Sequence, residues 1–415
     1  MKRRILNILK KADKQENRRS IIIYGMKGTG KTYSVLDYVK ANCEEYLYID
    51  AVHDDAFNIA LEKIDNEDKI SSATDFFSTF FSLDPEYLIN IPVILDEPPL
   101  NILEKGMFDG YNGVLKLYIV TSTKEKAEIF AKTLDAEDST FGMYPMDFGE
   151  FLTALDKEWY DEVITGHIQS KRKIPDMIHD ELMDLFGLYE ILGGMPEVIN
   201  EYIMQGMSEN VRQRQQTVRD AILYRTMLNC MDDAVKNRIQ NVWDAMELVL
   251  QKDNHKFMYS AIRDGATKRE YEPVIKYLYD QGMCIKVSES CNNTRNKNKD
   301  GFRLYFGDTG LYEKKNPDMI RESLIIQNIV SSGTDVEYWE SGKGANVSII
   351  LDIKGKKIPV ELKISGKSNL RSVKSYMKEN LTDKYISLQD DNIKETENGP
   401  AIPVYACHLI STIKI

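Results

Sequence analysis

Short runs of branched apolar residues alternate with helical stretches over the first 155 residues of the chain. The apolar runs lie at 21–24, 46–49, 91–95 and 115–120. Such continuous runs are typical of strands that are buried on both faces of a sheet. Strands that alternate with helices usually pair in parallel. The pattern therefore predicts an α/β core over residues 1–155.

The pattern after residue 155 predicts three further units. Residues 156–241 have apolar positions at helical spacing, interrupted by a turn at Gly193-Gly194, and we expect a helical lid. Residues 242–315 predict short helices and then strands at 284–287 and 302–306, the layout of a winged helix. Residues 316–415 predict a smaller α/β domain. Its expected elements are a helix at 320–330, strands at 337–339, 347–353 and 357–364, a helix at 370–377 and two closing strands.

The octapeptide GMKGTGKT, from Gly25 to Thr32, fits the phosphate-loop pattern G-x-x-x-x-G-K-[ST]. It lies between a predicted strand and a predicted helix, as such a loop requires. Its glycines let backbone N–H groups approach a phosphate, and the helix N-terminus adds partial positive charge. We expect Lys31 to reach the β- and γ-phosphates and Thr32 to supply a hydroxyl to Mg²⁺. The expected nucleotide contacts are Gly25, Lys27, Gly28, Thr29, Gly30, Lys31, Thr32 and Tyr33.

The apolar run 91–95 ends in Asp96-Glu97, which is the Walker B arrangement. An Asp at the carboxyl end of a parallel strand, beside a phosphate loop, holds Mg²⁺ through its water shell. Glu97 is then placed to act as a general base on the attacking water. The sequence therefore predicts binding and hydrolysis of a nucleoside triphosphate, with ATP and Mg²⁺ as cofactors and with Lys31 and Glu97 as catalytic residues.

The composition is that of a folded soluble protein, since 42% of the 415 residues are hydrophobic and 29% are charged. The net charge of −11 provides no global positive field for nucleic acid. Five scattered cysteines indicate reduced thiols rather than disulfides or a zinc site. No apolar run is long enough to span a membrane. We expect a cytoplasmic protein without membrane association. The basic first residues lack the apolar core of a signal peptide and favour a short helix packed on the core, with a membrane-surface helix as the alternative.

These motifs and four further segments resemble the prokaryotic AAA-type P-loop ATPases that carry a C-terminal restriction-endonuclease-like domain. The four segments are YPMDFGEFL at 144–152, GGMPE at 193–197, LYFGDTGL at 304–311 and PVELK at 359–363. They are similar to the family's P-L-S-F-x-E-F-L, G-G-F-P-E, Y-F-x-D-x-G-L and P-x-E-x-K. Two positions depart from the family pattern. Pro98 follows Walker B where the family has Gln, and Thr121-Ser122-Thr123 stands where it has T-G-S.

The resemblance implies two further parts of a hydrolytic site. A polar residue after the fourth strand would orient the lytic water, and Ser122 or Thr123 could do this. The alternative is that these hydroxyls cap the helix that starts near Lys124. An arginine finger, from the lid or from the next subunit of a homo-oligomer, would contact the γ-phosphate. Arg219 and Arg225 are the candidates, although most helical arginines are solvated or ion-paired.

The resemblance also implies a nuclease-like site in the last domain. Such folds hold Mg²⁺ with an Asp on one strand and E-x-K on the next, and Glu361 and Lys363 occupy the E-x-K positions. Glu322 would join them from the preceding helix, but Ser348 stands in place of the Asp. Asp352 shares the face of Ser348 but lies about 13 Å further along the strand, away from Glu361. A hydroxyl is a poor Mg²⁺ ligand. We therefore expect a vestigial site, with a solvated sheet face as the alternative.

The predicted winged helix offers only a weak nucleic-acid surface. Its basic wing residues are Arg295, Lys297, Lys299 and Arg303, while the expected recognition helix at 272–281 carries acidic positions. Weak, salt-sensitive contact with nucleic acid, or docking of a protein partner, follows from this. The whole chain predicts an ATPase that acts as a switch or motor coupled to winged-helix and nuclease-like modules. The alternatives are an ATP-gated, metal-dependent nuclease and a nucleotide-binding scaffold with little turnover.

Overall fold

The computed structural model describes residues 1–14, 20–63, 72–228, 232–252, 255–290, 301–313, 316–353 and 355–413. The chain forms two compact units. The first consists of Lys2–Tyr144 and Asp280–Gly282. The second consists of Met1, Pro145–Tyr279 and Met283–Ile415. Three residues from late in the chain thus belong to the first unit.

The first unit is built on a five-stranded sheet with the order β2-β3-β4-β1-β5, in which every pair of strands is parallel. Its strands are β1 (Ser20–Tyr24), β2 (Leu47–Asp50), β3 (Pro92–Asp96), β4 (Lys116–Thr121) and β5 (Thr140–Gly142). Its helices are α1 (Arg4–Ala12), α2 (Lys31–Asn42), α3 (Asp55–Glu62), α4 (Ala73–Phe81), α5 (Pro85–Asn90), α6 (Asn101–Glu104) and α7 (Lys124–Leu134). The predicted parallel α/β core and its first four strands are confirmed. The three-residue β5 was not predicted.

Apolar residues cover both faces of this sheet, which explains the continuous apolar runs in the sequence. Ile22 packs on one face together with Leu95 and Ile119. Its neighbours Ile21 and Ile23 pack on the opposite face, against residues of α1 and α2. Because successive side chains of a strand point to opposite faces, a strand covered on both sides must be apolar at every position.

Helix α1 packs on the core, as predicted for the first residues. It buries one apolar stripe, and the residue after it, Asp13, binds side chains from two other elements. Tyr38 of α2 donates to Asp13 over 2.6 Å. Tyr118 and Lys116 of β4 donate to the same carboxylate over 3.0 Å and 2.9 Å. Asp13 therefore fastens the end of α1 to both α2 and the sheet.

The second unit combines nine helices with a nine-stranded mixed sheet among the residues that the structure describes. Its helices are α8 (Phe148–Ala154), α9 (Trp159–Ser170), α10 (Asp176–Leu192), α11 (Pro196–Gln205), α12 (Glu209–Leu228), α13 (Asp233–Leu250), α14 (Lys268–Asp280), α15 (Pro317–Ser331) and α16 (Leu370–Asn380). Its strands are β6 (Cys284–Glu289), β7 (Phe302–Phe306), β8 (Val336–Glu340), β9 (Asn346–Ile353), β10 (Lys356–Ile364), β11 (Lys367–Ser368), β12 (Ile386–Gln389), β13 (Lys394–Thr396) and β14 (Gly399–Pro403). The last residue of α14 belongs to the first unit.

The two strands of the predicted wing, β6 and β7, belong to this large sheet. The order is β13-β14-β12-β10-β9-β8-β6-β7, with β11 beside β10. Strand β6 pairs antiparallel with β7 and parallel with β8, where Ser288 is opposite Glu337. One sheet therefore runs through the predicted winged-helix and C-terminal regions. The division at residues 155, 241 and 315, and the identity of these modules, stay predictions.

Three of the segments that carry the family resemblance meet in the second unit. The Met146 N–H donates to the Gly194 carbonyl over 2.8 Å, and the Gly194 N–H donates to Asp308 over 2.6 Å. Gly193 has φ +75°, and a Cβ there would lie 2.4 Å from the Asp308 carboxylate. Only glycine fits at such a position. These three segments are therefore held together by hydrogen bonds at the turn between α10 and α11.

Two expectations from composition concern membranes and thiols. Within the described parts of the chain, no helix combines the length and apolar character needed to cross a bilayer. Cys43, Cys284 and Cys407 carry free thiols, and burial raises the pKa of Cys284 to about 12. Cys230 and Cys291 lie outside the described residues.

Replacing Asp13 by Ala should destabilise the first unit, because two tyrosine hydroxyls and an ammonium lose their common acceptor. Three hydrogen bonds, one of them charged on both sides, predict a loss of about 2 to 4 kcal/mol in unfolding free energy. Urea unfolding of the whole chain measures it. Asp37→Ala is the control, since Asp37 is an exposed acidic residue of α2. Equal unfolding midpoints for the two variants would contradict the anchoring role.

Candidate functional site

The segment from Gly25 to Gly30 connects β1 to α2 in a conformation that glycine makes possible. Gly25, Gly28 and Gly30 have φ values of 147°, 86° and 89°. A Cβ at Gly25 would lie 2.0 Å from the Met143 carbonyl oxygen, so a side chain cannot fit there. Gly30 immediately precedes α2. Because glycine has no side chain, it cannot cap the first N–H groups of the helix. The first N–H groups of α2 are thus available to an anion.

Lys31 lies over the loop that precedes it. Its Nζ donates to the carbonyls of Gly25 and Met26 over 2.8 Å and 3.1 Å, and the residue is only 6% exposed. Burial lowers the pKa of Lys31 to about 8, although Glu97 and Asp96 oppose this shift. A phosphate beside this ammonium would favour its charged form. Lys31 therefore opens the helix whose first N–H groups are available to an anion, and its own charge would respond to that anion.

The two predicted metal-binding residues are in direct contact. Thr32 Oγ1 donates to Asp96 Oδ2 over 2.8 Å, and Tyr48 of β2 donates to the same oxygen over 3.1 Å. Burial raises the pKa of Asp96, while the bonds from Thr32 and Tyr48 oppose the shift. Hydroxyl and carboxylate oxygens are the ligands that a hard divalent cation prefers. The donor set therefore fits Mg²⁺. The sequence reasoning did not find Tyr48, because no motif marks it.

Glu97 lies beside the end of β4, which the strand order places between β1 and β3. Its N–H donates to Val120 over 2.7 Å, and its backbone is left-handed, with φ +52°. Such a conformation is costly for a residue with a side chain and is often found at functional sites. Ser122 Oγ donates to Glu97 Oε2 over 3.2 Å, and Lys126 Nζ lies 3.8 Å from that oxygen.

The two hydroxyls after β4 have different positions. Ser122 contacts Glu97, whereas Thr123 Oγ1 accepts from the Lys126 N–H over 3.3 Å and caps α7. Capping of α7 therefore applies to Thr123, while Ser122 is the residue left for the predicted role in orienting water. The role of Ser122 or Thr123 in orienting the lytic water stays a prediction.

Arg3 is a further residue of the site that the sequence reasoning missed. Its side chain is buried, with Nη1 donating to the Thr29 carbonyl over 2.6 Å and Nη2 to the Tyr144 carbonyl over 2.7 Å. Thr29 in turn donates through Oγ1 to the Met26 carbonyl over 2.8 Å. Arg3 thus ties the loop to the residues after β5. Both partners are backbone carbonyls far along the chain, so no sequence pattern marks the contact.

The remaining predicted residues are the nucleotide contacts Lys27 and Tyr33 and the two candidate arginine fingers. Lys27 is half-buried and its charge lowers the pKa of Lys31, while Tyr33 is 62% exposed. Both candidate fingers lie on α12 of the second unit. Arg219 forms ion pairs with Asp220 and Glu313, each at 3.2 Å, and Arg225 is exposed. Their finger role stays a prediction.

In the second unit, the predicted nuclease-like residues fall into two groups, the first around Glu322. Ser348 Oγ donates to Glu322 Oε2 over 2.9 Å, and Tyr305 Oη donates to Oε1 over 2.8 Å. His255 Nδ1 lies 3.4 Å from the same Oε1. Burial alone would raise the pKa of Glu322, but His255, Arg303 and Tyr305 together lower it to about 2. Protein groups therefore engage both carboxylate oxygens.

Arg303 is completely buried beside this carboxylate, so its expected place on the exposed wing is wrong. Its guanidinium donates to Ser348 Oγ over 3.3 Å and to Asn346 over 2.8 Å. Its Cζ lies 4.3 Å from the centroid of the Tyr338 ring. The pairing of β6 with β8 joins the β6–β7 hairpin to the edge of a larger sheet. From the edge strand β7, the Arg303 side chain contacts residues of β8 and β9. The other wing residues, Arg295, Lys297 and Lys299, lie outside the described residues.

The second group contains Glu361 and Lys363, each with a partner of its own. Ser368 Oγ donates to Glu361 over 2.6 Å, and Lys363 forms an ion pair with Asp391 at 2.7 Å. Asp352 pairs with Lys357, which is opposite it in the β9–β10 register. Within the described ranges of the chain, no group of three His, Cys, Asp or Glu side chains is placed to hold a metal ion.

Residues 183–316 match a family described as a domain of unknown function, DUF8612. None of the curated proteins matches this sequence. Among solved structures, the chain is similar to the Walker-type ATPase PABY2304 of Pyrococcus abyssi, with 12% identity, 76% of this chain and 94% of that chain covered, and a TM-score of 0.41.

Two further solved structures are more distant. The Orc1 protein of Aeropyrum pernix in complex with DNA shows 13% identity over 77% of this chain and 90% of that chain, with a TM-score of 0.32. Cdc6p of Pyrobaculum aerophilum shows 11% identity over 77% and 93%, with a TM-score of 0.26. Similarities this weak do not assign an activity to this chain.

Replacing Arg3 by Ala should weaken nucleotide binding, because the loop loses its tie to Tyr144. We expect the Kd for ATP, measured by calorimetry, to rise about five- to twentyfold, the cost of one or two hydrogen bonds from a charged donor. Arg3→Lys should recover only part of this, since an ammonium lacks the guanidinium fork. Lys10→Ala, at an exposed position of α1, is the control. An unchanged Kd for ATP in Arg3→Ala would show that the contacts of Arg3 do not support nucleotide binding.

Replacing Arg303 by Met should destabilise the second unit, because Ser348 and Asn346 lose a charged donor. The buried Glu322 also loses a nearby positive charge that lowers its pKa. A hydrogen bond that involves a charged group is worth about 1.5 to 3 kcal/mol, so we expect a loss of about 2 to 4 kcal/mol in unfolding free energy. The double variant Arg303→Met/Glu322→Gln should recover part of that loss. Arg263→Met, which breaks the more exposed pair with Glu270, should cost about 1 kcal/mol or less. Urea unfolding compares the three, and equal effects of the two single variants would contradict the buried role.

Proposed function

We propose that this chain binds a nucleoside triphosphate with Mg²⁺ and hydrolyses it. The observation that carries the proposal is the hydrogen bond from Thr32 to Asp96. It joins the hydroxyl that ends the glycine loop to the acid that ends β3. Lys31 lies over the same loop and Glu97 follows the same acid. A phosphate cradle, a cation site and a candidate base are thereby adjacent.

Binding would use groups that the loop already presents. The uncapped N–H groups at the start of α2 would donate hydrogen bonds to phosphate oxygens. Lys31 Nζ would leave the carbonyls of Gly25 and Met26 and donate to phosphate oxygens instead. Its positive charge would neutralise negative charge on the phosphates. Thr32 and Asp96 would hold Mg²⁺, which neutralises charge on the phosphates when bound.

Hydrolysis would depend on Glu97 and Ser122. The Glu97 carboxylate would accept a proton from the attacking water, which is the role of a general base. Ser122, which donates to Oε2 of that carboxylate, would hold it in orientation. Lys126 Nζ lies 3.8 Å from the same oxygen and would help to hold the carboxylate in place. ATP is the nucleotide we propose, and Arg219 or Arg225 would complete the site from the lid or from another subunit.

We propose a switch or motor role, in which nucleotide state controls the modules of the second unit. These modules would meet a protein partner or, weakly, nucleic acid. Nuclease activity has less support. The carboxylate of Glu322 is already engaged by Tyr305 and Ser348, and Glu361 accepts from Ser368. A metal ion would have to displace these internal partners.

Two substitutions separate binding from hydrolysis. Lys31→Ala should raise the Kd for ATP with magnesium at least about tenfold, because the charge that faces the phosphates is removed. Glu97→Gln should retain ATP but lower the rate of phosphate release about a hundredfold or more, because the base is lost. Calorimetry and steady-state phosphate release measure the two effects.

Matched controls are available on the same elements. Lys40→Ala removes an exposed lysine from α2, and Glu104→Gln removes an exposed acid from α6. Both should behave as the wild type. Absence of binding heat in the wild type at millimolar ATP would refute the proposal. Normal turnover in Glu97→Gln would refute the role of the base and leave binding intact.

A further inference from the structure

Asp280, Gln281 and Gly282 connect the end of α14 to β6, yet they belong to the first unit. The chain before and after them belongs to the second unit. Gln281 is buried, so this segment is not a free linker. Two of its contacts within the first unit are with elements of the proposed nucleotide site.

The first contact is between Gly282 and the glycine loop. Gly282 has φ +70°, and a Cβ there would lie 3.3 Å from both the N and the Cβ of Met26. The Met26 carbonyl accepts from Lys31 Nζ over 3.1 Å and from Thr29 Oγ1 over 2.8 Å. Gly282 therefore packs on the residue whose carbonyl binds the lysine of the loop.

The second contact is between Asp280 and the start of α7. Asp280 Oδ1 accepts from the Glu125 N–H over 2.7 Å. Thr123 accepts from the next N–H, that of Lys126, over 3.3 Å. Together they satisfy two N–H groups of the first turn, which otherwise lack partners within the helix. This turn directly follows Ser122 and contains Lys126, and both side chains lie beside Glu97. Asp280 therefore holds the backbone next to these contacts.

We infer that Asp280–Gly282 is a positioning segment of the nucleotide site, an inference that rests on the proposed function. It holds Met26 and the start of α7, and through them the surroundings of Lys31 and Ser122. A phosphate that draws Lys31 from the Met26 carbonyl changes the bonding of a residue that Gly282 contacts. The segment continues into α14 on one side and β6 on the other, so the effect reaches the second unit through the chain itself.

Gly282→Ala tests the first contact. It adds a methyl group 3.3 Å from Met26 at a backbone position that disfavours side chains. The matched control is Gly265→Ala, because Gly265 has φ +74° but its Cβ position has no atom within 4 Å. Both variants carry the same backbone strain, and only one meets the glycine loop. Asp280→Ala tests the second contact without adding bulk.

The readouts are kcat and KM for ATP hydrolysis, and hydrogen exchange of β6 with and without ATP and magnesium. We expect kcat to fall about tenfold in Gly282→Ala, because small displacements of catalytic groups lower kcat by such factors. In Gly265→Ala, kcat should stay within about twofold of the wild-type value. Exchange of β6 should respond to ATP in the wild type and in Gly265→Ala. This response should weaken in Gly282→Ala and Asp280→Ala.

Each outcome decides a specific point. The positioning role is wrong if the wild type hydrolyses ATP and Gly282→Ala matches Gly265→Ala in kcat and in the exchange response. If Gly282→Ala melts at a much lower temperature than its control, Asp280→Ala decides instead, and wild-type behaviour there refutes the inference. If the wild type neither binds nor hydrolyses ATP, the proposed function fails and this inference fails with it. Wild-type calorimetry therefore distinguishes the two failures.

Discussion

The hydrogen bond between Thr32 and Asp96 depends on the parallel pairing of the first sheet. In the order β3-β4-β1, all carboxyl ends lie on one edge, so the loop after β1 and the acid that ends β3 meet there with β4 between them. An antiparallel neighbour would place one of these ends on the opposite edge. Parallel pairing in turn requires crossover connections, and the helices in them cover both faces of the sheet. Strands that are buried between two such layers are apolar at every position. Core composition and site geometry therefore have one cause.

The parts of the molecule that sequence could predict are those whose information is local. Strand β1, the glycine loop and the start of α2 are adjacent in the chain, so their spacing alone identifies a phosphate cradle. The pair Asp96-Glu97 follows an apolar run and is recognised in the same way. Helix α1 also followed from its own apolar stripe. In each case the residues that form the feature lie within about one helix length of one another.

The parts that sequence could not predict depend on contacts between distant segments. Arg3 donates to the backbone carbonyls of Thr29 and Tyr144, which any residue type would provide. Tyr48 reaches Asp96 from another strand, and its own surroundings carry no motif. Arg303 was expected among the basic residues of a wing, because it lies in the second strand of the predicted hairpin. The pairing of β6 with β8 joins this hairpin to a larger sheet, and Arg303 contacts residues of β8 and β9, which no pattern within its own strand reveals.

The contacts of Lys31 with its own loop have a consequence for ligand selectivity. An incoming anion must compete with the carbonyl dipoles of Gly25 and Met26 for one ammonium. Under the proposed function, a chain of linked phosphates would concentrate several charges there and would also occupy the neighbouring N–H groups. A single diffuse charge, such as that of chloride, would offer less in exchange for two directed acceptors. The internal contacts of the lysine would then favour a polyphosphate over simple monovalent anions.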